Sequence, residues 1–207
     1  MYKRQVYGGD GNDVIDTQRG DDRIFGGNGS DVIYAGQDND TLLDIFGEDR
    51  LYGGLGNDLL SAGFDPLGLA TTNLNEEDFL FGGYGDDTLY LGSDDQGAGG
   101  RDGDTFVIMP VPAGGVASTI TDFGNGSDTL TLVVTDPSAA SAANYVFTAG
   151  TSSNGVAATI ISNAAGQALV EVENATLTFS NLQFMSVAQA STNLANAAGV
   201  TLPTLPT

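Results

Sequence analysis

A nine-residue period constrains this chain more than any other feature. Cut from Gly8, the rows read GGDGNDVID from 8, TQRGDDRIF from 17, GGNGSDVIY from 26, AGQDNDTLL from 35, DIFGEDRLY from 44 and GGLGNDLLS from 53. GGYGDDTLY resumes at 82. The sixth position is aspartate throughout: Asp13, Asp22, Asp31, Asp40, Asp49, Asp58 and Asp87. The eighth is Ile15, Ile24, Ile33, Leu42, Leu51, Leu60 and Leu89, and the fourth is glycine except at Asp38. Glycine, aspartate and asparagine dominate the first six positions and tolerate the positive φ angles of tight turns. The last three make a short strand whose middle side chain points inward. Such a unit buries nothing alone, so the rows must stack. Two rows form one rung of eighteen residues, and the rungs build two facing parallel sheets. Asp13, Asp31 and Asp49 then stack on one edge, and Asp22, Asp40 and Asp58 on the other.

That stacking sets an electrostatic condition. Rungs lie about 4.8 Å apart, and two carboxylates at that spacing repel by about 3.5 kcal/mol at an effective dielectric near 20. The ladder disfavours the fold unless something neutralises it. Glycine turns leave carbonyl oxygens bare, and carboxylates with carbonyls make an oxygen-only cage that suits Ca²⁺ better than zinc or copper. The charge points the same way: 27 acidic residues stand against 6 basic ones, a net charge of -21. Such a surface repels nucleic acid and anionic membranes. All the basic residues (Lys3, Arg4, Arg19, Arg23, Arg50 and Arg101) lie in the first half. With no cysteine there is no disulfide framework or thiolate nucleophile, and with no histidine no HExxH zinc site or Ser-His-Asp triad. The chain is therefore expected not to be an enzyme. The competing reading, an acidic disordered stretch, needs no apolar residue every ninth position, and describes the expected calcium-free state.

The rows match GGxGxDxUx, with U a large apolar residue, and over about half the chain they resemble the RTX, or haemolysin-type calcium-binding, family. The resemblance implies an all-β fold: a right-handed parallel β-roll over residues 8–107, followed by a β-rich cap. It implies several Ca²⁺ ions, each seated between turns on one edge. The implied carboxylate ligands are Asp13, Asp22, Asp31, Asp40, Asp49, Asp58, Asp78, Asp87, Asp104 and Asp128. The implied carbonyl ligands are those of Gly8, Asp10, Gly26, Asn28, Gly53, Leu55, Gly82 and Tyr84. It also implies a bacterial, extracellular protein that leaves the cell unfolded through type I secretion machinery and folds outside on calcium.

Several segments depart from the pattern. Thr17-Gln18 and Asp44-Ile45 replace the opening glycines of their rows, so those turns are expected to bind weakly or to use another backbone geometry. The row from Ala62 to Phe81 is too long and is expected to bulge out as a loop near 65–77, while keeping Asp78-Phe79-Leu80-Phe81 as its strand end. Leu91 to Ala98 is a second lesion, before GGRDGDTFV restores Asp104 and Phe106. Asp94 and Asp95 either bind an ion or are solvated. Tyr34, Tyr52 and Phe81 are expected to stack outside one sheet, as a partner platform or as plain packing.

Residues 1–7 read as a non-repeat segment, with a fragment junction the favoured explanation. No apolar stretch there resembles a signal peptide, and no run suits a membrane helix. Residues 108–184 read as the cap and secretion region. Strands are expected over Ser118–Phe123, Asp128–Val134, Tyr145–Thr148, Val156–Ile161, Ala168–Val172 and Thr176–Phe179. Thr119-Ile120-Thr121-Asp122-Phe123 followed by Gly126-Ser127-Asp128-Thr129-Leu130 resembles the block that closes RTX rolls. Residues 185–207 form an Ala/Asn/Thr-rich tail, either disordered or helical near Met185 to Leu194. Three functions compete: a calcium-dependent folding and secretion module without catalysis, the C-terminal part of a larger secreted protease or lipase, and part of a surface adhesin with an unknown surface or matrix partner. The sequence encoded before Met1 would separate them.

Overall fold

The computed structural model describes residues 4–62, 76–112, 114–134 and 141–198. Successive short strands alternate between two sheets that face each other. The first sheet has eight strands, all parallel: β1 (Gln5–Asp10), β3 (Arg23–Asn28), β5 (Thr41–Leu43), β7 (Leu59–Ser61), β9 (Thr88–Leu91), β11 (Thr105–Ile108), β13 (Thr129–Val134) and β17 (Leu182–Ser186). The second runs through β2 (Val14–Asp16), β4 (Val32–Gln37), β6 (Arg50–Leu55), β8 (Phe79–Tyr84), β10 (Gln96–Arg101), β12 (Ser118–Ile120) and β16 (Ala168–Glu173), again parallel. It ends in an antiparallel pair, β15 (Ala157–Asn163) and β14 (Tyr145–Thr151). This is a parallel β-roll with a β-rich cap.

The register follows the repeat. Ile15 pairs with Ile33 and Ile33 with Leu51, each eighteen residues apart. Across the long row Leu51 pairs with Leu80, so the roll absorbs the insertion without losing register. The expected loop lies outside the described residues except for Glu76 and Glu77. Every eighth-position side chain points between the sheets: Ile24, Ile33, Leu42, Leu51, Leu60 and Leu89 are fully buried, and Ile15 on the first rung is 9% exposed. Leu80 and Phe106 continue the same core, as expected of their rows. Each such side chain contributes about 1.5–3 kcal/mol by leaving water, one per short strand.

Backbone geometry explains the turn residues. Asp38 and Asp102 take φ of 80° at the fourth position, where glycine usually sits; aspartate tolerates that region better than most residues. Gln18 also keeps a positive φ, 67°, so the Thr17-Gln18 row retains the turn, whereas Ile45 does not share it. Fifth-position side chains form an outer ladder, with Asn12 Oδ1 accepting from the Ser30 amide at 3.1 Å and Asn39 Oδ1 from the Asn57 amide at 2.9 Å. That explains the preference for asparagine or aspartate there.

Two boundaries differ from the sequence expectation. Residues 5–7 are not outside the repeat: Gln5, Val6 and Tyr7 pair with Arg23, Ile24 and Phe25 as the strand end of a rung. Thr176–Phe179 is not a strand despite its alternation. The Thr178 amide donates to Asn181 Oδ1 at 2.8 Å and a short 3-10 turn follows, because the chain must cross here from the second sheet to the first. The closing strand is β17 instead. In the tail the helical alternative holds, as α1 (Val187–Ala198). Its Ala190 and Leu194 pack on Leu43, Tyr90, Val107 and Val133, on the outer face of the first sheet. The outer face of the second sheet carries the expected aromatic stack, with ring centroids of Tyr34 and Tyr52 4.8 Å apart and of Tyr52 and Phe81 4.9 Å apart. No helix among the described residues is long and apolar enough to cross a membrane.

Candidate metal centre

The sixth-position aspartates sit where turn becomes strand, so all of them face the roll's two edges. From the second rung on, one carboxylate oxygen of each is used structurally. Asp31 Oδ1 accepts the Asp13 amide at 2.7 Å, Asp49 Oδ1 the Asp31 amide at 2.8 Å, and Asp78 Oδ1 the Asp49 amide at 2.8 Å. On the other edge Asp40, Asp58, Asp87, Asp104 and Asp128 do the same for the amides of Asp22, Asp40, Asp58, Asp87 and Asp104. These bonds fix the carboxylates in two continuous ladders.

The second oxygen is left over. Oδ2 of Asp13, Asp31, Asp40, Asp49, Asp58 and Asp87 is buried and has no hydrogen-bond partner. Native proteins rarely leave a buried carboxylate oxygen unmatched, because desolvation without a partner is expensive. Carbonyl oxygens converge on the same places. A methyl group added at Gly8 would meet the Gly26 carbonyl oxygen at 2.5 Å and Asp13 Oδ2 at 2.8 Å. At Gly53 it would meet Asp58 Oδ2 and the Gly82 carbonyl. First-position glycine is thus needed to keep an oxygen-lined gap open. Of the third-position carbonyls, Asn28 accepts the Gly11 amide at 2.8 Å and Tyr84 the Gly56 amide at 2.9 Å. A carbonyl oxygen has a second lone pair, so both remain able to face a cation.

Burial makes a subset of these carboxylates hard to ionise. It pushes Asp44 and Asp87 up to about 8, Asp40 and Asp49 to about 7, and Asp58 and Asp104 to about 6, with neighbouring carboxylates adding to the shift in most. A cation in the gap removes the cause. Donors here are all hard oxygens with flexible spacing, which fits Ca²⁺.

Some residues behave differently from the sequence expectation. Asp44, which replaces a first-position glycine, projects its carboxylate into the gap between two rungs. One oxygen each of Asp31, Asp44 and Asp49 lies within 4.8 Å of the others, making a three-carboxylate seat. Asp122 takes an equivalent place against the Gly99 and Gly100 amides, at 3.0 and 2.8 Å. Neither was among the expected ligands; Asp44 showed the signal, an aspartate at position one of its row, whereas Asp122 lies six residues before Asp128 and reaches that place only through the strand register. Asp95 is buried beside Asp78 and continues its ladder; burial and the Asp78 charge raise it well above the usual carboxylate range. Asp94 is only partly buried. Asp128 engages both oxygens with backbone, to Asp104 and to Gly124 at 2.6 Å. Asp22 is met by Arg4.

Parallel rungs, glycine turns and two buried carboxylate ladders define a cation-binding β-roll. The RTX calcium-binding nonapeptide repeat (4 copies) matches residues 7–42, 46–65 and 75–106. Residues 7–106 thus carry RTX calcium-binding nonapeptide repeats, and the roll they build is a calcium-binding one. Among curated proteins, none matches the chain.

Proposed function

We propose that this chain is a calcium-operated folding module of a secreted protein, without catalysis of its own. In this reading it leaves a bacterial cell unfolded by a type I route and closes into the roll outside. The observation that carries it is the set of buried, unpartnered Oδ2 atoms along both edges. With burial holding Asp40, Asp44, Asp49, Asp58 and Asp87 above the usual carboxylate range, the closed roll is unfavourable near neutral pH unless cations enter. The proposed ligands are the sixth-position aspartates other than Asp22, with Asp44 and Asp122, together with the first- and third-position carbonyls. Extracellular calcium modules work at dissociation constants of about 0.1–1 mM, far above cytosolic calcium. The same chain therefore stays open inside and folds outside, and each ion that binds only the closed form stabilises it by mass action.

The export half of the reading is tested by deleting the residues after Ala149 and measuring release through a type I exporter. Loss of export is expected; efficient export of the truncated chain refutes it.

A further inference from the structure

The first rung on one edge is neutralised by a side chain. Arg4 donates from its backbone amide to Asp22 Oδ1 at 2.9 Å, from Nε to the same oxygen at 3.3 Å, and from Nη2 to Asp22 Oδ2 at 2.9 Å. Nη2 also donates to the carbonyl oxygens of Thr17 and of Arg19, the latter at 2.8 Å. Thr17 and Arg19 are the first and third residues of their row, and Asp22 is the sixth. These are the positions whose carbonyls and carboxylate line the cation gaps of the other rows.

The contrast along the ladder is sharp. Asp40, Asp58 and Asp87 on the same edge each leave Oδ2 buried without a partner, whereas Asp22 does not. The Asp22 side chain is fully buried, while Arg4 keeps 46% of its side chain exposed, so the guanidinium reaches in from outside. A guanidinium is planar, always charged and rich in donors, and so can answer two carbonyls and a carboxylate at once.

We propose that the Arg4 guanidinium is a built-in replacement for a calcium ion at the Thr17–Arg19–Asp22 seat. The inference rests on the calcium reading of the other seats. It makes this turn independent of calcium, so that calcium-dependent rungs can add onto it. It also accounts for the row at 17 lacking the double glycine: Thr17 Oγ1 bonds the Ala35 carbonyl at 2.9 Å, in a turn that need not open around an ion.

Two measurements test it. In crystals of the wild-type chain grown in calcium, the anomalous signal should place ions beside Asp40, Asp58 and Asp87, with the guanidinium alone at Asp22. An ion at Asp22 with Arg4 displaced overturns this inference but leaves the calcium reading standing; no ion on either edge overturns both. In solution, Arg4→Ala should bind one more calcium ion per chain than wild type by equilibrium dialysis, and an equal or lower count in the folded variant contradicts the proposal.

Discussion

Asp44→Asn should move the calcium-free and calcium-loaded rolls in opposite directions. Asp44 Oδ1 accepts the Gly27 amide at 3.0 Å and the Ile45 amide at 2.9 Å, while Oδ2 has no partner. Asparagine keeps the accepting oxygen and puts an amide, able to donate to Asp31 or Asp49, where Oδ2 stood. Burial raises Asp44 from 3.8 to about 8, so the calcium-free roll binds a proton there that the unfolded chain does not. Its stability is therefore present below 3.8 and is lost as pH rises towards 8. At pH 7 the deficit is about 4 kcal/mol at 1.36 kcal/mol per unit, and the substitution removes it. With calcium bound, the same change deletes a charged ligand, and a tenfold loss at that seat corresponds to about 1.4 kcal/mol. The assay is osmolyte-induced folding of the chelated protein at pH 7, followed by far-UV circular dichroism, beside thermal melting in millimolar calcium. The variant should fold at lower osmolyte without calcium and melt at lower temperature with it. If it is harder to fold without calcium, or unchanged with it, Asp44 is not a ligand held under electrostatic load.

Acid should stand in partly for calcium. Asp40, Asp49, Asp58, Asp87 and Asp104 are all raised, to between about 6 and 8, so the calcium-stripped chain should gain β signal as pH falls from 8 towards 5; a flat or opposite dependence contradicts the burial argument. Replacing Asp31 or Asp40 with Ala should raise the calcium midpoint more than replacing Asp13, because each also holds the amide of the preceding rung, Asp13 and Asp22 respectively. Equal shifts from all three would show that the ladder does not act as a connected unit.

The repeat made the core and the edges legible. An apolar residue every ninth position has to be Ile24 or Leu42 facing inward, and eighteen-residue spacing has to bring Asp31 above Asp49. What escaped depends on contacts between distant positions. Arg4 stands at the sixth position of a row whose earlier residues do not show the motif, and only the pairing of Gln5–Tyr7 reveals that it faces Asp22. Asp44 looked like a defect in its turn because a first-position glycine is the usual way to keep the gap open; a carboxylate that joins the seat is the other way. Thr176–Phe179 alternates like a strand, yet the crossing between sheets falls there and local Thr178–Asn181 bonding wins. The helix is one of the two readings of the tail; what the sequence does not show is that it docks over Tyr90 and Val107, because that outer face exists only in the assembled sheet.

The central claim is that calcium makes this fold. Far-UV circular dichroism of the chain with chelator, then through a calcium titration to millimolar, tests it most directly, with magnesium in parallel. The roll signal should be absent in chelator, recover cooperatively with calcium and recover little with magnesium, which demands smaller octahedral sites and sheds water reluctantly. Full β content and an unchanged melting temperature in chelator would contradict it.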